Sequence, residues 1–356
     1  MPADTYPTLP QTQKAWTFAT QGLPPDILVL DEQYPVPDPP TAANLLIRVS
    51  HVSLNPGCYV TMAELPPIVR RVLSGGRSTF VAEGEFAGVV HLAGPSAPAH
   101  LLPGARVFGC LPVPSLLAGG GTLAEYLVIP AACVALAPAG MSWPVAASLA
   151  GGGQTAGSMV LEATIQPGTR VFVNGGSGGV GSMVIQLAKA QGAYVVATCS
   201  ARTRAMVEGL GTDEVVDYRA NAPLPAFLAR EYHSRPFEYI FDTIGTQALF
   251  DHSPEYLRAD GLFVNVGNFE GLFLTVWRAM LNTYLPTVLG GVPRRYHMIS
   301  TTPNGEKAAA LAEMVERGEL RVVIDEVFEF HDALKAYDRM LARNAMGKIV
   351  VKVQEL

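Results

Sequence analysis

Hydrophobic positions along the chain fall into two regimes. Up to about residue 140 they come in short runs, LLIRVSHVSL (45–54), FAGVVHLA (86–93), ARVFGC (105–110) and LAEYLVIP (123–130), divided by Pro and Gly. Strands at such spacing, with Pro103-Gly104-Ala105 turning the chain into Arg106, predict a compact β-barrel-like domain. From about Met141 the pattern changes to near-continuous apolar runs: RVFVN (170–174), YVVATC (194–199), YIFDT (239–243), LFVNV (262–266) and YHMIST (296–301). Between them lie segments of helical period, such as Val180, Val184, Leu187 and Ala188. Buried strands joined by helical crossovers make a doubly wound parallel sheet. The last forty residues return to VVIDEVFEF and GKIVVKV around a helix near 331–343. Such a terminal strand most simply rejoins the first domain. The fold class is therefore α/β, with a β-barrel-like domain at residues 1–138 and 305–356 around a parallel-sheet domain at 139–304.

Composition narrows the function. With 356 residues, 49% apolar and only 16% charged, the chain can bury a sizeable core and is not disordered. Its net charge of −6 and the absence of any long Lys/Arg run exclude a phosphate-backbone partner, so nucleic acid is not expected. Cys58, Cys110, Cys133 and Cys199 are scattered and form no CxxC. This argues against a disulfide framework or a cysteine-rich zinc lobe and fits a reducing, cytoplasmic setting. The opening MPADTYPTLPQTQKAW has neither basic leader nor apolar core, so a secretory signal is not expected. The most apolar stretch, Gly271 to Pro293, is interrupted by Arg278, Asn282, Thr283 and Pro286, and no membrane span is expected there.

The chemistry concentrates after RVFVN. Gly175-Gly176-Ser177-Gly178-Gly179-Val180-Gly181 contains GxGxxG at Gly176, Gly178 and Gly181, between a strand and a helix. Glycines there permit a tight turn, let the backbone approach a pyrophosphate and let helix pack on strand. The helix N-terminus then offers unpaired N–H groups and a favourable dipole to the phosphates. The next strand ends Thr198-Cys199-Ser200-Ala201-Arg202-Thr203-Arg204, and no acid appears until Glu208. NAD enzymes place a carboxylate near this point for the ribose 2′-hydroxyl. Hydroxyls at Ser200 and Thr203 beside the Arg202 guanidinium suit a 2′-phosphate instead, through charge-assisted hydrogen bonds. The expected cofactor is NADPH.

With these residues in view, the chain resembles the zinc-free quinone oxidoreductase branch of the medium-chain dehydrogenase/reductase superfamily, from about Trp16 to Val353. The matching residues are Ser53-Leu54-Asn55-Pro56, Phe86-Ala87-Gly88-Val89-Val90, Pro103-Gly104-Ala105-Arg106-Val107 and Gln154-Thr155-Ala156. Further along they are the loop from Val173 to Gly181, Gly261 to Gly267, and Gly347-Lys348-Ile349-Val350-Val351. The resemblance implies a GroES-like catalytic domain formed from both chain ends around a Rossmann domain, with substrate and nicotinamide meeting in the cleft. It implies that Ser177, Gly178, Gly179 and Val180 contact the pyrophosphate, and that Ser200 and Arg202 contact the 2′-phosphate. Tyr218 would lie near the adenosine, and Thr155 and the backbone at Val266 near the nicotinamide. Zinc members carry Cys where this chain has Asn55, and His-Glu where it has Gly84-Glu85, so no metal is expected. Relatives of this kind often form homodimers.

Without a metal to polarise a ketone, the chemistry that fits best is hydride transfer to a conjugated C=C or a quinone, where charge develops on a distant oxygen. Tyr59, one position from where related reductases can place a tyrosine, is the candidate proton donor; packing at the mouth of the cleft is an equal reading of it. Between Asn268 and His297 lie Phe269, Leu272, Phe273, Val276, Trp277, Met280, Leu281, Tyr284 and Leu285, more large apolar side chains than a crossover requires. The chain also resembles trans-acting enoyl reductases that assist polyketide synthases, in which this region helps shape the substrate pocket. Three readings stay open: reduction of a free hydrophobic enone or quinone, reduction of a polyketide chain carried by a synthase, and an NADPH-binding scaffold or redox sensor without turnover.

Overall fold

The computed structural model describes residues 9–268 and 270–356. Phe269, counted in the apolar segment, and the first eight residues, on which the leader reading partly rests, lie outside them. The chain divides into two compact units. One runs to Gly151 and is rejoined by Thr302–Glu316 and Ile324–Leu356; the other holds Gly152–Thr301 and Arg317–Val323.

The first unit contains β1 (Thr12–Phe18), β2 (Val29–Pro35), β3 (Asn44–Ser53), β4 (Phe80–Val81), β5 (Glu85–Ala93), β6 (Arg106–Cys110), β7 (Tyr126–Pro130) and β8 (Val134–Leu136). β3 is almost wholly buried because both its edges are used. β5 pairs along one edge, while β7 takes the first half of the other, at Asn44 to Arg48. β1 is mostly buried and β2 largely exposed, and neither was read as a strand in the sequence. LAEYLVIP pairs regularly only from Tyr126; before it, Ala124 makes an isolated bridge to Ala15. A helix at Trp143–Ala147 packs on β3 and β5.

The second unit is built on β9 (Arg170–Asn174), β10 (Tyr194–Cys199), β11 (Glu214–Asp217), β12 (Phe237–Asp242), β13 (Leu257–Asn265) and β14 (Arg295–Met298). Their order is β11-β10-β9-β12-β13-β14 and every pairing is parallel. Phe172, Phe237, Ile240, Phe250, Tyr256 and Phe263 form a core on this sheet. The helix Gly181–Ala190 adds Met183, Val184, Ile185 and Leu187 to the buried set. The YHMIST strand is shorter than its apolar run, ending at Met298 with Ile299 held only by its N–H to Asn265 O. Most of the apolar stretch between Asn268 and His297 becomes the helix Leu272–Tyr284, which buries Thr275 and Ala279 and leaves Phe273, Trp277, Met280 and Tyr284 exposed. Among the described residues no helix is long and apolar enough to cross a membrane.

The chain then returns to the first unit through β15 (Ile324–Glu329) and β16 (Lys348–Lys352). β16 pairs antiparallel with the second half of β3, with Val350 opposite Ser53, on the edge that β7 leaves open. Trp16 Nε1 donates to Phe330 O at 2.8 Å across 314 residues of sequence, which ties the two chain ends into one core.

Candidate cofactor and active site

In the second unit, β9 to β11 extend to one side of the sheet and β12 to β14 to the other. The order reverses between β9 and β12, and in open α/β sheets ligands bind outside the carboxyl ends at such a reversal. β9, β12 and β13 end in a polar residue, and β10 has one just before its end. Thr198 Oγ1 donates to Asn174 Oδ1 at 2.8 Å, and Asn174 Nδ2 donates to Asp242 Oδ1 at 2.9 Å. The same Asp242 oxygen accepts N–H bonds from Ile244 and Gly245. Burial pushes the Asp242 carboxyl above its ordinary value while these donors oppose the shift. Asn265 closes a turn on itself, accepting from Gly267 N and donating to Gly267 O. This row of Asn174, Thr198, Asp242 and Asn265 was not singled out in the sequence. Its signal was there, as a lone polar residue at or near the end of each apolar run.

The row holds the glycine loop. Gly175 N donates to Thr198 Oγ1 at 2.8 Å and Gly176 N to Thr198 O at 2.9 Å, so the turn is pinned to the neighbouring strand. Gly175 has a φ of +84°, and a Cβ there would lie 2.5 Å from Thr243 Oγ1. A Cβ on Gly181 would lie 2.2 Å from Gly175 O, so only glycine lets the helix begin this close to the turn. At Gly178 only Gly175 O comes within 4 Å, at 3.3 Å, leaving the tip open for the approach of a ligand. Ser177, Gly178, Gly179 and Val180 are all half-buried on this tip, and Val180 is the residue from which the helix starts. This cradle fits a pyrophosphate.

The far end of β10 lies beside it. After Cys199 the chain turns through Ala201–Thr203, with Ser200 Oγ and Thr203 Oγ1 3.3 Å apart. Thr203 is buried and its hydroxyl also bonds Ser200 O, so it holds the corner, whereas Arg202 is exposed. Arg204 is engaged elsewhere, with Glu208 and Val215 O. Tyr218 is brought to the same corner by its N–H bond to Cys199 O, with its ring exposed beside Arg219. Val266 follows β13 and donates its N–H to Asp242 O, and Thr155 is half-buried on the helix Ala150–Leu161.

The Asn-Pro turn belongs to the first unit. It opens the helix Pro56–Glu64, on which Tyr59 is half-buried against the core. Asn55 N donates to Glu83 Oε2 at 3.1 Å, and Asn55 Nδ2 to Ser53 O and Glu85 Oε2, each at 3.1 Å. The Lys348 ammonium donates to Asn55 Oδ1 at 2.7 Å and to Glu85 Oε2 at 3.0 Å. Glu83, buried with a φ of +66°, accepts from Tyr337 Oη at 2.7 Å. Burial pushes its carboxyl up to about 7 against the pull of Tyr337, the Asn55 N–H, Cys58 and Lys348. Burial also pushes the Cys58 thiol up, with Glu83 adding to the shift, so it is a protonated packing group beside that carboxyl. Asn55 stands where zinc relatives carry Cys and Gly84 where they carry His; the Asn55 amide is engaged by the Lys348 ammonium and Gly84 has no side chain to ligate, so neither is a zinc donor. Among the described residues no group of three His, Cys, Asp or Glu could hold a metal ion. The residues present do not fit zinc.

Together these features define a Rossmann-type α/β oxidoreductase fold. A family model described as zinc-binding dehydrogenase matches residues 210–351. Trans-enoyl reductase poxH of Penicillium oxalicum is 35% identical over 381 residues, covering 97% of this chain and 98% of that one. Among solved structures, the quinone oxidoreductase from Coxiella burnetii has a TM-score of 0.82 and 26% identity, covering 96% of this chain and 99% of that one. A mycobacterial protein complexed with NADPH shares the fold, with a TM-score of 0.76 and 23% identity over 96% of this chain and 100% of that one. The chain belongs to the medium-chain dehydrogenase/reductase superfamily, among relatives that are enoyl and quinone reductases.

Proposed function

We propose that this protein is an NADPH-dependent, metal-independent enoyl reductase that acts in trans on an α,β-unsaturated chain carried by a partner polyketide synthase. The observation that carries the reading is the end-to-end likeness to a trans-enoyl reductase, which spans both units and leaves only 2% of the relative unmatched. The first unit would serve as the GroES-like catalytic domain and the second as the cofactor domain.

The glycine cradle from Ser177 to Val180 would hold the pyrophosphate. Ser200 and the Arg202 guanidinium would hold the 2′-phosphate, on a segment that carries no acid between Cys199 and Glu208. Tyr218 would cover the adenine side, and Thr155 and the Val266 backbone the nicotinamide. When bound, NADPH supplies the hydride. The acceptor is the carbon β to the carbonyl, so negative charge moves to the carbonyl oxygen and the α-carbon then takes a proton. Tyr59 is the phenol proposed to donate it. The four free cysteines suit a reducing compartment, and cytoplasm is the proposed location.

A second reading, reduction of a free quinone, is favoured by the Coxiella burnetii likeness. The test is oxidation of NADPH and of NADH against enones, quinones, free enoyl thioesters and the same thioesters on an acyl carrier domain. Preference for the carrier-bound thioester with NADPH supports the proposal, and preference for quinones replaces it with the second reading. Tight NADPH binding without oxidation by any acceptor would leave a non-catalytic sensor.

A further inference from the structure

We propose that Lys348 is a positioning residue for the Asn55-Pro56 turn: one buried ammonium holds that turn directly and, through Glu85, the Gly151 amide. The inference rests on the reductase reading above.

Register brings the groups together. β16 runs antiparallel to β3 with Val350 opposite Ser53, and β5 runs antiparallel to β3 with Glu85 opposite Ser53. Continuing both ladders past the end of β3 places Lys348 and Glu83 on either side of Asn55. Lys348 and Glu85 then pair at 3.0 Å with side-chain exposures of 5% and 0%. The ammonium has three donors, and three acceptors lie within reach: Asn55 Oδ1 at 2.7 Å, Glu85 Oε2 at 3.0 Å and Leu54 O at 3.4 Å. No N–H remains to protonate a substrate, so Lys348 acts through its neighbours.

Glu85 extends that hold. Its second oxygen, Oε1, accepts the Gly151 N–H at 2.6 Å, in the first turn of the helix Ala150–Leu161. The fit is tight, since a Cβ on Gly151 would lie 3.1 Å from Glu85 Cδ. One ion pair thus holds the turn that opens the helix of Tyr59 and, through Glu85, the Gly151 amide. Stability alone does not account for it, because a buried ion pair is often matched or bettered by apolar side chains of similar volume. A cation held between the Asn55 and Glu85 side chains is explained if those side chains must be oriented.

The test compares the wild type with Lys348→Met, with Lys348→Met/Glu85→Gln, and with Val351→Ala, a buried core truncation on the same strand. Glu85→Gln in the double variant removes the stranded carboxylate and allows folding if Lys348→Met alone does not fold. The expected result is a double variant with a wild-type circular dichroism spectrum, NADPH affinity within threefold of wild type and kcat for the best acceptor at least tenfold lower. Val351→Ala should keep its kcat while losing stability. Wild-type kcat in the double variant, or an equal loss in Val351→Ala, would overturn the proposal. If the wild type binds NADPH but reduces no acceptor, the reductase reading fails, and amide exchange still decides the role of the pair. A tenfold loss of protection confined to Asn55, Cys58 and Gly151 supports positioning, and unchanged protection overturns it.

Discussion

Tyr337 donates its phenolic hydrogen to Glu83 at 2.7 Å, with both side chains buried in the first unit and 254 residues apart in sequence. Glu83 titrates near neutrality despite this bond, because burial raises it to about 7 more strongly than Tyr337 and the Asn55 N–H lower it.

Stability should therefore depend on Glu83 at ordinary working pH. Its folded value lies above the ordinary 4.5, so its contribution is complete below about pH 4.5 and is lost as pH rises through 7. Unfolding free energy should fall by roughly 3 kcal/mol from this group between pH 5 and pH 9, and Glu83→Gln should flatten that slope. Urea denaturation across the range reads it directly. Tyr337→Phe should destabilise the protein by about 1–3 kcal/mol and move the inflection to higher pH.

Cofactor preference should rest on Arg202 and not on Arg204. Arg202→Ala is expected to weaken NADPH binding by about 1.5–3 kcal/mol, the range for hydrogen bonds to charged groups, and to leave NADH nearly unchanged. Arg204→Ala, which loses an exposed pair with Glu208, should alter neither. Fluorescence titration with both nucleotides separates the two arginines. Equal affinity of the wild type for NADPH and NADH would remove the 2′-phosphate assignment.

Two glycines of one loop should fail in different ways. Gly181→Ala drives a Cβ to within 2.2 Å of Gly175 O, so both thermal stability and nucleotide binding should drop. Gly178→Ala meets Gly175 O at 3.3 Å, a contact that a shift of a few tenths of an ångström relieves, and should lower the melting temperature far less than Gly181→Ala. It should still bind NADPH at least tenfold more weakly, because the methyl group stands where a pyrophosphate must approach. Melting curves with and without NADPH distinguish the outcomes.

Tyr59→Phe tests the proton donor. If the phenol protonates the enolate, kcat should fall about 100-fold with NADPH affinity and melting temperature unchanged. A wild-type kcat would make Tyr59 a packing residue of the helix Pro56–Glu64.

The glycine loop was legible because its determinants are contiguous. GxGxxG sits between an apolar strand and a helical period, and the hydroxyls and arginine after YVVATC follow within one strand length. The polar ends of the sheet strands were visible as letters but not as a set. Asn174, Thr198 and Asp242 meet only when β10 and β12 flank β9, which is a matter of strand order. β2 and β11 were missed because partly exposed strands carry little apolar period, and β1 because its buried residues include the polar Gln13 and Thr17.

Sequence by itself determined the alternation of strands and helices, the glycine turn and the lack of an acid at the end of β10, since each depends on residues a few positions apart. Tertiary structure decided what surrounds the Asn-Pro turn. Tyr337 and Glu83 meet across 254 residues and Lys348 and Glu85 across 263, and the four have no local pattern of their own. Their charges are tolerable only as a closed set of hydrogen bonds, because a buried ion costs far more alone than paired. That set exists only once β16 pairs with β3.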